Sequence, residues 1–315
     1  MNNGFWGKLK KPFFVLAPML DITDSPFRQI VAECGRPDVF YTWFISVDGL
    51  CSKGKENILK NPNVHITEKE RPIVAQIFGK DPQKFYQSAK ILCEIGFDGI
   101  DINMGCPDRD ILKQGAGAEL IKNPKLSREI IKATKDGAGK IPVSVKTRIG
   151  YLKNEVESWI PEIIKEKPAA ICVHGRTCKQ NYGGISDWGI IKKAAEISRG
   201  SGVLIIGNGD VKNLKEGKIR AQESGVDGIM IGREILANPW LFKKDRKIIS
   251  RKDKLKILVK HADLFEKYYK DKKNFNNFKK YFRSYVSGFE NSKSLRMKLM
   301  EARNSSEIQR IIESY

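Results

Sequence analysis

The chain has 315 residues, 41% of them hydrophobic and 30% charged, which gives enough apolar material for a core and excludes a disordered or fibrous chain. Its 57 Lys and Arg against 37 Asp and Glu leave a formal charge of +20, a field that draws polyanions such as nucleic acids or acidic membrane surfaces and repels cationic partners. No stretch approaches the roughly 18 uncharged apolar residues that a membrane span needs, so a cytoplasmic protein with no membrane partner is expected.

In chain order, the first apolar run, 13–19, holds Pro18 and meets Asp21 without a cleavage site, so it does not read as a signal peptide. Further short runs rich in β-branched residues follow at 39–46, 72–79, 99–105, 142–149, 169–176, 203–210 and 228–233, each trailed by a helix-forming stretch. Eight such units about 30 residues apart predict an α/β fold, a (β/α)8 TIM barrel. A doubly wound dinucleotide-binding sheet is the rival, but no G-x-G-x-x-G follows the first run. From residue 243 the chain turns polar and Lys-rich with helical spacing, as in Ile257, Leu258, His261, Leu264, Phe265 and Tyr268. The expected division is therefore a barrel over 1–242 and a small all-helical domain over 243–315. That second segment carries 21 Lys and Arg against 9 Asp and Glu, net +12 of the total +20. Its aromatics interleave with the cations, as in Phe278-Lys279-Lys280-Tyr281-Phe282-Arg283, a pattern open to two readings: phosphate binding with base stacking, or a helical core beneath solvated lysines.

Chemistry in a barrel collects where strands end, and most of these runs end in unusual residues. Gly207-Asn208-Gly209-Asp210 and Gly232-Arg233 end the last two runs, where barrels hold phosphates on backbone N–H groups, with Arg233 as a charged clamp. Strand alternation points Lys146 to the same side as Ser144 and Arg148, and a cation inside a barrel can form a Schiff base or stabilise a negative charge. Cys106, on the loop Asn103-Met104-Gly105-Cys106-Pro107, is open to use as a general acid or, once activated, a nucleophile. Of three histidines only His174 lies at a strand end. The six cysteines contain no C-x-x-C, so free thiols and no metal centre are expected, with Cys34, Cys93 and Cys172 as packing residues.

Together these residues resemble the tRNA-dihydrouridine synthase family. The resemblance rests on Ala17-Pro18-Met19 with Thr23-Asp24-Ser25-Pro26-Phe27-Arg28, on the run from Pro72 to Gly79, on Asp101-Ile102-Asn103-Met104-Gly105-Cys106-Pro107, on Val145-Lys146-Thr147-Arg148, on His174-Gly175-Arg176-Thr177, and on the two glycine-bearing strand ends with Asn238-Pro239-Trp240. It implies an FMN-containing enzyme, re-reduced by NADPH, that reduces the C5=C6 bond of selected uridines in tRNA, with hydride from reduced FMN to C6 and a proton from Cys106 to C5. On the same resemblance Pro18, Met19, Gln76, Lys146 and His174 would contact the flavin. Asn208, Gly209, Asp210, Gly232 and Arg233 would hold its phosphate end. Asn103 and Arg176, with His174, would line the uracil side, and Lys279, Lys280 and Arg283 would bind tRNA. The protein is expected to act as a monomer.

Two departures stand out: Trp43 follows Thr42 where the family commonly has an acidic residue, and Tyr281 stands where many members have His. Rivals are an FMN barrel reductase of a small molecule, such as a dihydroorotate dehydrogenase or ene-reductase, and a non-catalytic tRNA-binding protein. The charge disfavours the first, and the retained Cys106, Lys146, His174 and Arg233 disfavour the second.

Overall fold

A computed structural model describes residues 3–245 and 248–315; residues 1–2, at the start of the expected barrel segment, and 246–247, within the expected helical segment 243–315, lie outside the described residues. The strands are β1 (Phe13–Leu16), β2 (Phe40–Tyr41), β3 (Ile45–Ser46), β4 (Ile73–Phe78), β5 (Gly99–Met104), β6 (Val143–Arg148), β7 (Ala170–His174), β8 (Leu204–Asn208) and β9 (Gly228–Ile231). All pair in parallel, in the order β1-β9-β8-β7-β6-β5-β4-β2, with β3 also on β4. Bonds from Leu16 N to Val39 O (3.0 Å) and from Asp38 N to Phe14 O (2.8 Å) bring β1 beside the chain entering β2, giving the expected TIM barrel.

Alternation along each strand separates two apolar layers. Phe13, Val15, Val39, Tyr41, Val74, Cys172, Ile206 and Met230 fill the barrel interior, whereas Phe14, Leu16, Ile73, Ala75 and Ile77 face the surrounding helices. The short 3-10 helix Gly4–Lys8 closes the bottom, where Trp6 is buried against Phe5 and Phe13. Asp24, Asp81, Asn123, Asp187 and Asn213 cap the helices that follow them, each accepting from a first-turn N–H.

The expected second strand, 39–46, is two short pieces. Trp43 leaves the ladder because Asn63 bonds both its N–H (3.0 Å) and its carbonyl (3.1 Å), and the Thr42 hydroxyl takes the N–H of Gln76 (3.1 Å). This break turns Phe44 toward the barrel mouth.

Beyond residue 250 the chain is helical, with Arg251–Tyr269, Phe282–Tyr285, Ser292–Leu299 and Ser305–Glu313 joined by 3-10 turns. The interleaved aromatics resolve toward the core reading: Phe278, Tyr281, Phe282 and Tyr285 are buried and pack around His261 or one another, and buried Tyr269 packs on Phe265, leaving them no face for a base. His261 bonds Tyr285 OH through Nδ1 (2.8 Å), and burial, with help from Lys280, pulls its pKa down to about 3. This region docks on helix Ser25–Cys34 through Tyr269 OH to Asp24 (2.7 Å), Gln29 to Tyr268 OH (3.0 Å) and a Lys260–Glu33 ion pair. No helix among the described residues is long and apolar enough to cross a membrane.

Candidate active site

The carboxyl ends of the strands surround a cavity of about 610 Å³. Register places the inward polar side chains there as neighbours: Gln76 beside Asp101, Asn103 beside Lys146, Arg148 beside His174, and His174 beside Asn208. Pro18 and Met19 form one wall, beyond the last ladder bond of β1 from Ala17 N to Ile231 O (2.9 Å). Proline has no N–H, so the strand ends there and its end becomes lining.

Cys106 follows β5 and faces the cavity. Its loop is held by Asn103 Oδ1, which accepts from Gly105 N (3.1 Å) and Cys106 N (2.9 Å), and by Ala118 N donating to Cys106 O (3.0 Å). Burial pushes the thiol above its ordinary pKa, against the pull of the Asp108 N–H and the charges of Arg148 and Lys146, so the sulfur carries its proton at neutral pH. Lys146 also lines the cavity, and burial lowers its pKa, against the opposing effects of Cys172 and Asp101. Burial, with Lys146, Arg148, Arg176 and Arg233 nearby, holds His174 well below the usual histidine range, so the ring is neutral. Arg176 Nη1 lies 3.3 Å from His174 Nε2. A guanidinium only donates, which makes Nε2 the acceptor and leaves the ring proton on Nδ1.

At the far end, Gly209 has φ +125, and a Cβ there would sit 1.9 Å from Ser186 Oγ, so only glycine fits. Among the described residues, no acceptor takes the backbone N–H of Gly209, Asp210, Gly232 or Arg233. Four such N–H groups beside the exposed Arg233 guanidinium could hold a phosphate. The Asp210 carboxylate stands beside it, bonded by Ser186 N (2.8 Å), Arg176 Nη2 (2.7 Å) and Arg233 Nη2 (3.3 Å). Burial alone would raise its pKa, but these donors hold it below the usual carboxylate value. No group of three His, Cys, Asp or Glu among the described residues is placed to hold a metal ion.

One cavity thus gathers Cys106, Asn103, Pro18, Met19, Gln76, Lys146, His174, Asn208, Gly209, Asp210, Gly232 and Arg233. Arg176 is placed behind the wall: its guanidinium is spent on Asp210, Ser186, Gly183 O and Gly184 O, fixing the loop that carries Tyr182. Lys279, Lys280 and Arg283 lie outside the cavity. Lys280 donates to Asp21 O at the rim, Lys279 to Met300 O (2.6 Å), and Arg283 is exposed. Sequence reading missed Phe44, Tyr182 and Leu20 in the lining and Lys273 at the rim, the last bonded to Asp21 (3.1 Å) and lying over Tyr269 and Trp43. Arg148 was visible through its alternation with Lys146; the others sit on loops with no periodic signal.

Solved structures share the barrel alone. Morphinone reductase matches with a TM-score of 0.54 and 13% identity, covering 78% of this chain and 87% of its own. A 2-naphthoyl-CoA reductase complex matches with a TM-score of 0.60 and 13% identity, covering 78% of this chain and 52% of its own. Sequence relatives reach further. A probable tRNA-dihydrouridine synthase of Staphylococcus aureus (strain COL) is 37% identical over 319 residues, covering all of this chain and 96% of the relative. Probable tRNA-dihydrouridine synthase 2 of Bacillus subtilis (strain 168) is 38% identical over 320 residues, covering all of this chain and 97% of the relative. The dihydrouridine synthase (Dus) family model matches residues 15–314, from the first strand to the last helix, and the chain that builds this cavity belongs to that family.

Proposed function

We propose that the protein reduces the C5=C6 bond of specific uridines in tRNA to 5,6-dihydrouridine, with FMN as bound cofactor and NADPH as electron donor. The observation that carries this reading is geometric: the Cys106 thiol shares one cavity with the Lys146 and Arg148 side chains and, at the other end, with Gly209, Asp210, Gly232 and Arg233, whose backbone N–H groups have no acceptor among the described residues. The residues suit FMN. Gly209, Asp210, Gly232 and Arg233 offer N–H groups and a guanidinium to its phosphate, Asn208 adjoins them, and Gln76 and Lys146 lie where a ring would meet a donor and a positive charge. Pro18 and Met19 give that ring an apolar wall. Held there by these residues, FMN would supply hydride chemistry for C6 of the uracil, with NADPH as the source of its electrons.

The chain's own part is proton supply and orientation. Cys106 gives its proton to C5, and the thiolate left behind is offset by the Asp108 N–H and the charges of Arg148 and Lys146 until solvent returns a proton. His174 can donate from Nδ1, and Asn103 from its amide, to acceptors on the base. Arg176 keeps His174 in that tautomer. The target base must leave its stack to reach Cys106, a cost that the positive field offsets. On this reading 1–242 is the catalytic segment and 243–315 the tRNA-binding one, with Lys279, Lys280, Arg283 and the newly seen Lys273 on the approach to the rim. We place the reaction in the cytoplasm, carried out by a monomer.

The test is anaerobic. The protein loaded with FMN, pre-reduced and mixed with unmodified tRNA should re-oxidise, whereas mixing with an activated small enone should leave it reduced. Oxidation by the enone and not by tRNA would move the protein to the small-molecule reductase reading.

A further inference from the structure

A line of polar groups climbs from the barrel interior to the Cys106 loop. The buried Asp101 carboxylate accepts from Ser144 Oγ at one oxygen (2.6 Å) and from Gln76 Nε2 at the other (2.7 Å). Gln76 Oε1 accepts from Asn103 Nδ2 (3.0 Å), and Asn103 Oδ1 accepts from the N–H groups of Gly105 (3.1 Å) and Cys106 (2.9 Å). Tyr41 OH stands 3.2 Å from Ser144 Oγ and completes the buried end.

The two ends dictate the direction of everything between them. A carboxylate only accepts and a backbone N–H only donates, so each carboxamide has a single orientation that satisfies both neighbours. Turning Gln76 over would set oxygen against Asp101 and NH2 against the NH2 of Asn103, and in a buried site both mismatches are costly. Asn103 is then fully committed at its oxygen, which already takes two N–H groups, while its Nδ2 keeps one hydrogen.

We propose that Asp101 is a positioning residue: its carboxylate fixes the orientation of Gln76 and through it that of Asn103, anchoring the Cys106 loop and making Asn103 a donor-only group. Asn103 would thus recognise an acceptor on the ligand, such as a ring carbonyl oxygen. On the function proposed above, that ligand is the uracil or the flavin ring.

The test compares Asp101→Asn with Asp101→Leu. Asparagine still offers Gln76 Nε2 an acceptor, because the Ser144 and Tyr41 hydroxyls can turn to accept from its NH2. Leucine offers none. In flavin-free protein, alkylation of Cys106 by iodoacetamide, followed by peptide mass spectrometry with Cys51 as internal reference, should be at least fivefold faster in Asp101→Leu and within twofold of wild type in Asp101→Asn. FMN dissociation constants, from quenching of flavin fluorescence, should rise at least tenfold and stay within threefold, respectively. A folded Asp101→Leu protein with wild-type alkylation overturns the proposal, whatever the reaction proves to be, since that readout needs neither flavin nor tRNA. Absence of dihydrouridine formation by the wild-type protein, with faster alkylation in Asp101→Leu and near-wild-type alkylation in Asp101→Asn, counts against the function reading alone. If Asp101→Leu does not fold, Gln76→Glu decides: it sets two acceptors face to face, and adding Asp101→Asn restores a donor between them. Recovery of the alkylation rate in the double variant supports the line, and additive effects overturn it.

Discussion

A thiol serves as an acid only while it keeps its proton, and burial raises the Cys106 pKa while Arg148 and Lys146 nearby would stabilise a thiolate. Cys106→Ala should therefore retain FMN but slow dihydrouridine formation by about 100-fold or more, the usual scale of a positioned acid; turnover within threefold of wild type removes Cys106 from that role. Asp101 carries a cost of the opposite kind. Burial raises its pKa from 3.8 to about 6, opposed by the bonds from Ser144 and Gln76. With the folded value above the unfolded one, ionisation penalises the folded state: the penalty is absent below about pH 4 and complete above about pH 6, at most about 3 kcal/mol. Asp101→Asn should accordingly melt higher than wild type at pH 7, by a margin that vanishes near pH 4, and equal melting at both pH values contradicts it. Cys106 and Lys146 were legible in the sequence because a strand end and a two-residue alternation reveal them. Asp101 was part of the same motif, yet its partners depend on the register of β4 against β5 and β5 against β6, which no local pattern encodes. Arg176 shows the same limit: a strand end locates a guanidinium without saying whether it turns into the cavity or back to Asp210.

Among the elements, the barrel strands were readable because buried parallel strands are apolar runs bounded by polar ends. The split of the second strand was not, since the side chain that replaces its ladder bonds, Asn63, lies twenty residues on. The lysine and aromatic helices were readable as helices but not as faces; only packing shows that Phe278, Tyr281 and Tyr285 point inward. Arg28 joins helix Ser25–Cys34 to the segment before β4: it pairs with Glu70 (2.7 Å) where both side chains are fully buried, and also bonds Thr23 O, Asn63 O and His65 O. Removing one member of such a pair strands the other charge, so Arg28→Met should cost about 3–5 kcal/mol in denaturant unfolding. A loss under about 1 kcal/mol would show that Glu70 finds another partner or a proton.

Over the whole molecule, the +20 charge predisposes the protein to polyanions, and the larger share lies beyond residue 242. That region meets the rim of the cavity through Lys273 and Lys280 on Asp21, whose neighbours Leu20 and Ile22 line the cavity. Field and chemistry are therefore adjacent, as a large polyanionic substrate requires. Neutralising Lys279 and Arg283 together should weaken tRNA binding and make its logarithmic salt dependence shallower by about two, one for each phosphate that is no longer neutralised; an unchanged slope places them outside the interface. Lys280 is excluded from that pair because its bond to Asp21 O also holds the rim. The central claim, uridine reduction in tRNA, is tested most directly by mass spectrometry of nucleosides from unmodified tRNA incubated with the FMN-loaded protein and NADPH. A gain of about two mass units on uridine, mapped to a defined position and absent with Cys106→Ala over the same interval, is the predicted result. Unaltered uridine throughout, with NADPH still consumed by a small acceptor, would contradict it.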